Sequence, residues 1–346
     1  MKIKKFSIIL ISFLVIFEIV SFFFTHLELF IFNEKPKYSF EEKFLNDWII
    51  YEENKVIWHK KNYKTRHAKR CFNVEYATNN VGARDYNDYF FEKNKESIML
   101  VGDSFAEGVG VDIDNIFAKI IEKKLEKKVL NFGVAGTNPQ NQFNKYIKSE
   151  KNYNYDELIY FFLPQNDYFK PIKQNKEKKK ILKKNEKKVS KFNDINLGQI
   201  KYQIANILAR FTYSYNFIRS AAYVIDSNFN YGYENLSYFY KDQKSIDYTF
   251  NYIKKIILHK NIKTYIVIIP TIYDINNYQK NKINYKNFYW FKELNRITKK
   301  NNIILIDLMD HIDFTIKPRY FHSCDGHWND FGNKFAAETF LKYYNY

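Results

Sequence analysis

Ser97-Ile98-Met99-Leu100-Val101-Gly102-Asp103-Ser104 is the stretch on which the fold turns. Residues 97–101 form a short apolar run that suits a strand buried on both faces. Gly102 ends the run, and Phe105-Ala106-Glu107-Gly108 leads out toward a helix. A serine in a tight strand-to-helix turn exposes its hydroxyl, and its own backbone N–H can face a developing oxyanion. The plainer alternative is that Ser104 only caps a helix.

Working outward, the same alternation recurs. A helical stretch at about 115–126 precedes a second strand at 128–132, and one at about 139–148 precedes a third strand at 158–163. Strands four and five fall at 264–269 and 303–306, with a helix at 285–300 between them and a last helix at about 330–344. Strands alternating with helices predict an α/β fold: a five-stranded parallel sheet covered on both faces and joined by right-handed crossovers. In such sheets ligands bind beyond the carboxyl ends of the strands. The predicted strand ends carry Ser104, Gly136 and Asn166, which therefore converge on one edge.

Two segments stand outside this rhythm. Residues 26–92 read as a stalk followed by a cap that packs on the main domain, with Trp48, Trp58 and a basic patch at 64–70. Residues 171–260 read as an insertion within the domain at 93–346, containing a Lys-rich loop and then an aromatic helical stretch at about 197–223.

The chemistry-bearing residues lie at the strand ends and before the last helix. Asn131-Phe132-Gly133-Val134-Ala135-Gly136-Thr137 puts a glycine just past a strand, where the backbone can approach a ligand and leave its N–H free; an ordinary turn glycine is the alternative. Pro164-Gln165-Asn166-Asp167 offers an amide that donates to an oxyanion without changing charge, or simply a turn asparagine. Asp325-Gly326-His327-Trp328-Asn329 is the most specific piece. A serine hydroxyl needs an imidazole to remove its proton, and the imidazole works best when a carboxylate orients it. Asp325, two residues before His327, is placed to do that, unless Asp325 or Asn329 only caps the last helix. His322 is a competing histidine that lacks the Trp-Asn-x-x-Gly context. The Phe161-Phe162 pair and the aromatic run at 288–291 suit a core better than a carbohydrate platform.

Ser104, Gly136, Asn166 and His327, in this order and at these places, resemble the four markers of the GDSL/SGNH hydrolase superfamily. The resemblance covers about residues 79–346, apart from the insertion. Upstream, Asn79-Asn80-Val81-Gly82-Ala83-Arg84 is similar to an Asn-x-x-Gly-x-Arg segment of membrane-anchored members. The resemblance implies a flavodoxin-like three-layer α/β/α sandwich. It also implies Ser104 as nucleophile, His327 as base oriented by Asp325, and an oxyanion hole from the Ser104 and Gly136 N–H groups and the Asn166 side chain. Two positions depart from the family pattern. Pro164 stands where Gly begins Gly-x-Asn-Asp, and Cys324 occupies the usual acid position three residues before the histidine. Asp325-x-His327-Trp328 is instead similar to the spacing in relatives that acetylate exopolysaccharides such as alginate. The expected function is a serine esterase acting on O-acyl groups of an envelope glycan, its partner being an acylated glycan or another small ester substrate. Alternatives are an O-acetyltransferase of cell-surface polysaccharide using the same site, and a non-catalytic module that binds glycan or an assembly partner.

Lys2, Lys4 and Lys5 precede an apolar run at 6–24 that is interrupted by Ser7, Ser12, Glu18 and Ser21. Its length matches a bilayer's hydrocarbon core, and the basic residues before it predict a cytoplasmic tip at 1–5, a transmembrane signal-anchor at 6–25 and an extracytoplasmic (periplasmic or cell-surface) catalytic domain. Glu18 is costly there unless it has a role or a partner. The 346 residues carry a formal charge of +17, which invites a nucleic-acid reading. Residues 170–191 alone hold eleven Lys against Glu177 and Glu186, a net +9 that leaves +8 for the rest. The excess is Lys rather than base-reading Arg, so no nucleic-acid partner is expected. Cys71 and Cys324 offer a disulfide only if the domain faces an oxidising compartment, and no Cys/His cluster calls for a metal or other cofactor.

Overall fold

The computed structural model describes residues 2–27, 36, 48–52, 56–69, 71–91, 96–168, 197–226, 237–322 and 324–344. The Lys-rich loop at 170–191 and most of the expected stalk lie outside the described residues. Helix α1 (Lys2–His26) is the one expected from the apolar run. Two antiparallel hairpins then pair β1 (Ile49–Glu52) with β2 (Val56–His59) and β3 (Lys64–Lys69) with β4 (Phe72–Ala77). The sequence reading had no strands here, although Thr65 and His67, then Phe72, Val74 and Tyr76, alternate as a strand with one buried face does.

The main sheet is five-stranded, parallel throughout and ordered β6-β5-β7-β8-β9. Its elements in chain order are β5 (Ser97–Gly102), α2 (Ser104–Glu107), α3 (Phe117–Leu125), β6 (Lys128–Gly133), α4 (Pro139–Ser149), β7 (Glu157–Phe162) and α5 (Pro164–Asp167). After the excursion helices α6 (Leu197–Phe211) and α7 (Tyr213–Asp226) come α8 (Gln243–Ile257), β8 (Lys263–Ile268), α9 (Ile272–Asn281), α10 (Tyr289–Lys300), β9 (Ile304–Asp307) and α11 (Asp330–Tyr344). All five expected strands are present within one residue at each end. Strands β5 and β7 are buried along their whole length, which is why their sequences run apolar rather than alternating.

Side chains along β7 point alternately to the two faces. Phe161 meets Phe117 of α3 (ring centres 4.7 Å apart), and Phe117 meets Phe340 of α11 at 5.6 Å, whereas Phe162 meets Phe250 of α8 and Trp290 of α10 at 6.0 and 6.1 Å. Helices α3 and α11 thus cover one face, and α4, α8 and α10 the other, giving the three layers.

Helix α8 falls inside the stretch read as an insertion, yet it is the crossover into β8. Ile246, Phe250, Ile253, Ile256 and Ile257 are buried at helical spacing, so it belongs to the core. Helix α9 was also missed; a capping box between Thr271 and Asp274 starts it. The helix expected at 197–223 breaks at Thr212. There the Asn216 amide donates to the carbonyls of Ala209 and Thr212, and Glu18 accepts from the N–H groups of Tyr213 and Ser214. The start of the helix expected at 285–300 is a 3-10 turn, with α10 proper beginning after Phe288.

At the edge that carries the site, backbone passes too close for a side chain. A Cβ on Gly133 would lie 2.3 Å from the Glu107 nitrogen and 2.5 Å from the Ala106 carbonyl carbon, and one on Gly102 would lie 2.7 Å from Phe161 Cβ. Gly133→Ala is therefore expected to push α2 away from β6 and to lower stability by about 2–3 kcal/mol, as overpacking does. Urea unfolding in detergent measures this; an unchanged midpoint would show that α2 can shift freely.

Candidate active site

Three strand ends and one loop build the site, and they flank the point where the order of the sheet reverses. The reversal lies between β5 and β7, the place where open α/β sheets leave a crevice. Gly102 ends β5, Asp103 caps α2 by accepting from the Phe105 N–H at 3.0 Å, and Ser104 opens that helix. The chain doubles back tightly because Arg84 reaches over the Tyr76 ring (3.7 Å) and donates to the carbonyls of Glu107, Gly108 and Val111. The Asn79–Arg84 segment therefore holds the serine turn from below, with Gly82 at φ +85°.

His327 Nε2 lies 2.8 Å from Ser104 Oγ, and His327 Nδ1 is hydrogen-bonded to Asp325 Oδ1. Ser104, His327 and Asp325, far apart in sequence, are thus one hydrogen-bonded series. His322 does not take this place: its ring packs on Phe72 at 4.9 Å, beside Gly110. The rest of the last motif fixes the loop. Trp328 packs edge-on against Phe105 at 4.8 Å, and Asn329 donates to the carbonyls of Arg319 and Phe321 while accepting from the Gly332 N–H.

The Asp325 side chain is almost fully buried and is also ion-paired with Lys69 of β3. Burial alone would raise its carboxyl, but the hydrogen bond and charge of His327, then those of Lys69, outweigh burial and hold it well below the usual carboxylate range. A disulfide joins Cys71, just past β3, to Cys324, next to the acid and 253 residues away in sequence. The position where the family pattern has its acid is therefore a covalent tether here, and the carboxylate facing the imidazole is one residue further on.

Gly136 is at φ +73°, and a Cβ there would meet nothing within 4 Å, so its backbone borders open space. The Asn166 amide donates to Thr137 O at 3.2 Å and to Asp103 Oδ2 at 3.3 Å, which pins it between the ends of β6 and β5. Pro164 is accommodated because it takes the first position of α5, where a helix needs no N–H. Ser104, Gly136, Asn166, Asp325 and His327 all border one cavity of about 730 Å³.

Several buried groups behind the site escaped the sequence reading. Glu107 accepts from the Ala135 N–H at 2.5 Å and lies 3.4 Å from His59 Nε2. Burial would raise its carboxyl, yet the His59 contact, the Ala135 N–H and Arg84 together bring it below its ordinary value. Burial pushes the Asp103 carboxyl up to about 6, against the hydrogen bonds from Phe105 and Asn166. His67, on the cavity wall, is pushed down to about 4 by burial and by the neighbouring Lys69 charge. Nothing in the spacing of Lys69 or His67 linked them to residues some 250 positions later. No group of three or more His, Cys, Asp or Glu suited to a metal occurs among the described residues.

A serine, an imidazole and a buried carboxylate in series, at the carboxyl edge of a three-layer α/β sheet, define a serine hydrolase. The chain belongs to the GDSL-like lipase/acylhydrolase family, whose model matches residues 98–340, and it is accordingly an enzyme that acts on ester bonds. Similar solved structures are distant. A member of the lipolytic G-D-S-L family from Veillonella parvula is 12% identical, with a TM-score of 0.37 over 71% of this chain and 97% of that one. A lipase/acylhydrolase from Enterococcus faecalis is 13% identical, with a TM-score of 0.35 over 71% and 94%. A two-domain esterase active on acetylated mannans is 12% identical, with a TM-score of 0.34 over 72% and 49%. These likenesses lend nothing to the choice of substrate. No curated protein matches the sequence.

Proposed function

We propose that this enzyme removes O-acyl groups, chiefly acetyl, from an envelope glycan through an acyl-enzyme on Ser104. The observation that carries the reading is the Asp325–His327–Ser104 series bordering an open cavity. Ser104 Oγ attacks the ester carbonyl while His327 Nε2 takes its proton. The tetrahedral oxyanion is met by the N–H groups of Ser104 and Gly136 and by an Asn166 N–H that turns to it from Thr137 O or Asp103 Oδ2. The ester C–O bond breaks, the sugar oxygen leaves with the proton from Nε2, and the acetyl group stays on Oγ. Water, or another sugar hydroxyl, then attacks the acyl carbon and gives its proton to Nε2; the bond from acyl carbon to Oγ breaks, Nε2 passes the proton to Oγ, and acetate or the new sugar ester leaves.

Three features favour a glycan. A cavity of about 730 Å³ is far larger than an acetyl group and of a size that takes whole sugar rings. Gln165, Tyr273 and Asp325 add polar groups to its wall. The Asp-x-His-Trp spacing also resembles that of exopolysaccharide-acetylating relatives. Helix α1 is long and apolar enough to cross a membrane between Lys5 and His26. We read it as an anchor holding the 26–92 cap and the 93–346 domain outside the cytoplasm, where a disulfide persists.

Full-length enzyme in detergent should release acetate from an O-acetylated polysaccharide on the order of a hundredfold faster than fatty acid from a phospholipid, the scale a shaped polar site confers. Phospholipid cleavage with no acetate release would overturn the glycan reading. Movement of neither acyl group would overturn the glycan reading in favour of an ester of another class.

A further inference from the structure

Helix α1 is bare along its first half and covered on one side of its second. Residues 5–16 are exposed, whereas Ser21 and Thr25 are buried and Glu18 is half-buried. These three positions are three and four apart and so share a face. What covers them is α7. Glu18 accepts from the backbone N–H groups of Tyr213 at 2.6 Å and Ser214 at 2.9 Å, the first two residues of that helix. A carboxylate there satisfies donors that the helix itself leaves without partners and complements the positive end of its dipole. Around this contact the Phe217 ring lies 6.2 Å from Phe17 and 5.7 Å from Phe24, the Tyr213 ring lies 5.1 Å from Phe22, and the Tyr213 hydroxyl is 3.2 Å from His26 Nε2. The costly acid in the apolar run has its partner inside the chain.

Its depth makes the contact informative. Glu18 precedes the end of α1 by eight residues, roughly 12 Å of helix. If α1 spans the bilayer, α7 begins below the outer surface of the apolar layer, not above it. The turn between α6 and α7 suits that place, because lipid tolerates no unpaired backbone there. The Thr212 N–H donates to Leu208 O, the Tyr213 and Ser214 N–H groups donate to Glu18, and the carbonyls of Ala209 and Thr212 accept from Asn216. The apolar side chains agree. Ile204, Ile207 and Leu208 of α6, at i, i+3 and i+4, and Ile218 of α7 are all exposed, at 52%, 48%, 39% and 54%, while Arg210 is buried.

We propose that α6 and α7 form a re-entrant helical hairpin embedded in the outer leaflet, docked on α1 through Glu18, with the Ile204–Ile207–Leu208–Ile218 surface against acyl chains. Fifteen and fourteen residues make helices of roughly 21–23 Å, too short to cross the hydrocarbon layer. The excursion also leaves β7 and returns to β8 of one sheet, so both its ends lie on the same side. The proposal rests on the anchoring role of α1.

The test is fluorescence quenching of the full chain in lipid nanodiscs, with the native disulfide intact and one added cysteine carrying a bimane. Ile207→Cys and Ile218→Cys report on the hairpin, Ile11→Cys on the anchor and Glu338→Cys on the catalytic domain. Lipid-borne nitroxide should quench the hairpin and anchor labels about threefold or more better than aqueous iodide does, with the reverse at position 338. Iodide reaching positions 207 and 218 while position 11 answers to lipid would overturn the hairpin alone. Quenching of the hairpin labels by neither agent would overturn it in favour of a protein partner or second copy on that face. Iodide reaching position 11 would overturn the anchor and the hairpin together. Glu18→Ala should shift the position-218 label toward iodide more than Glu18→Gln, which keeps an acceptor.

Discussion

Ser104→Ala should cost turnover on an activated ester such as p-nitrophenyl acetate by a factor of about 10⁴ or more, with the fold unchanged. The expectation follows from how little else the substitution removes. Ser104 Oγ is the atom within 2.8 Å of His327 Nε2; alanine keeps the backbone N–H, the helix start and the Asp103 cap. The residual rate would come from the oxyanion donors and the cavity, which persist. Intact-mass analysis after exposure to a fluorophosphonate is the companion measurement: one adduct on the parent enzyme and none on the variant. Turnover within tenfold of the parent, or an adduct that survives the substitution, would place the nucleophile elsewhere.

Asp325→Asn is expected to lower kcat by about 10³–10⁴ with a small change in KM, because an amide can hold the imidazole in the wrong tautomer. Lys69→Met should cost only about tenfold or less, since it removes a partner of the acid but leaves the acid on the imidazole. Asp325 is held well below the usual carboxylate range, so it stays ionised at neutral pH even in that variant. The depressed value also fixes a pH sign. A carboxylate with a lowered folded pKa contributes stability above its unfolded value, near 4, and loses it as pH falls through the folded one. The acid limb of a stability profile should therefore be shallower in Asp325→Asn. Steady-state kinetics and urea unfolding in detergent from pH 2 to 7 check both points. A kcat within tenfold of the parent would mean that another group orients His327.

The two departures from the family pattern have structural explanations. Pro164 suits the first turn of α5 and leaves the Asn166 amide held by Thr137 and Asp103. Cys324 fastens the acid loop to the β3–β4 hairpin, and the Lys69–Asp325 ion pair closes the same junction a second time. The cap segment is thus part of the site's framework, not only a cover.

Local sequence by itself determined the strands of the main sheet, because a strand buried on both faces must be an unbroken apolar run, and residues 97–101 and 158–163 are such runs. It also determined which residues stand at strand ends, and so the serine, glycine and asparagine that gather at one sheet edge. The last motif stood out because Asp325 and His327 are neighbours in the chain. Tertiary structure decided the rest. The strands at 49–52 and 56–59 are four residues each and too short to show a pattern, the alternation at 65–76 was overlooked, and α8 looked like insertion because its apolar face has meaning only against β7 and α4. That His327 rather than His322 faces Ser104, that Lys69 and Cys71 brace the acid loop, and that Glu18 caps α7 are contacts between residues about 190 to 256 positions apart. Such contacts are set by how the layers pack, and no local periodicity encodes them.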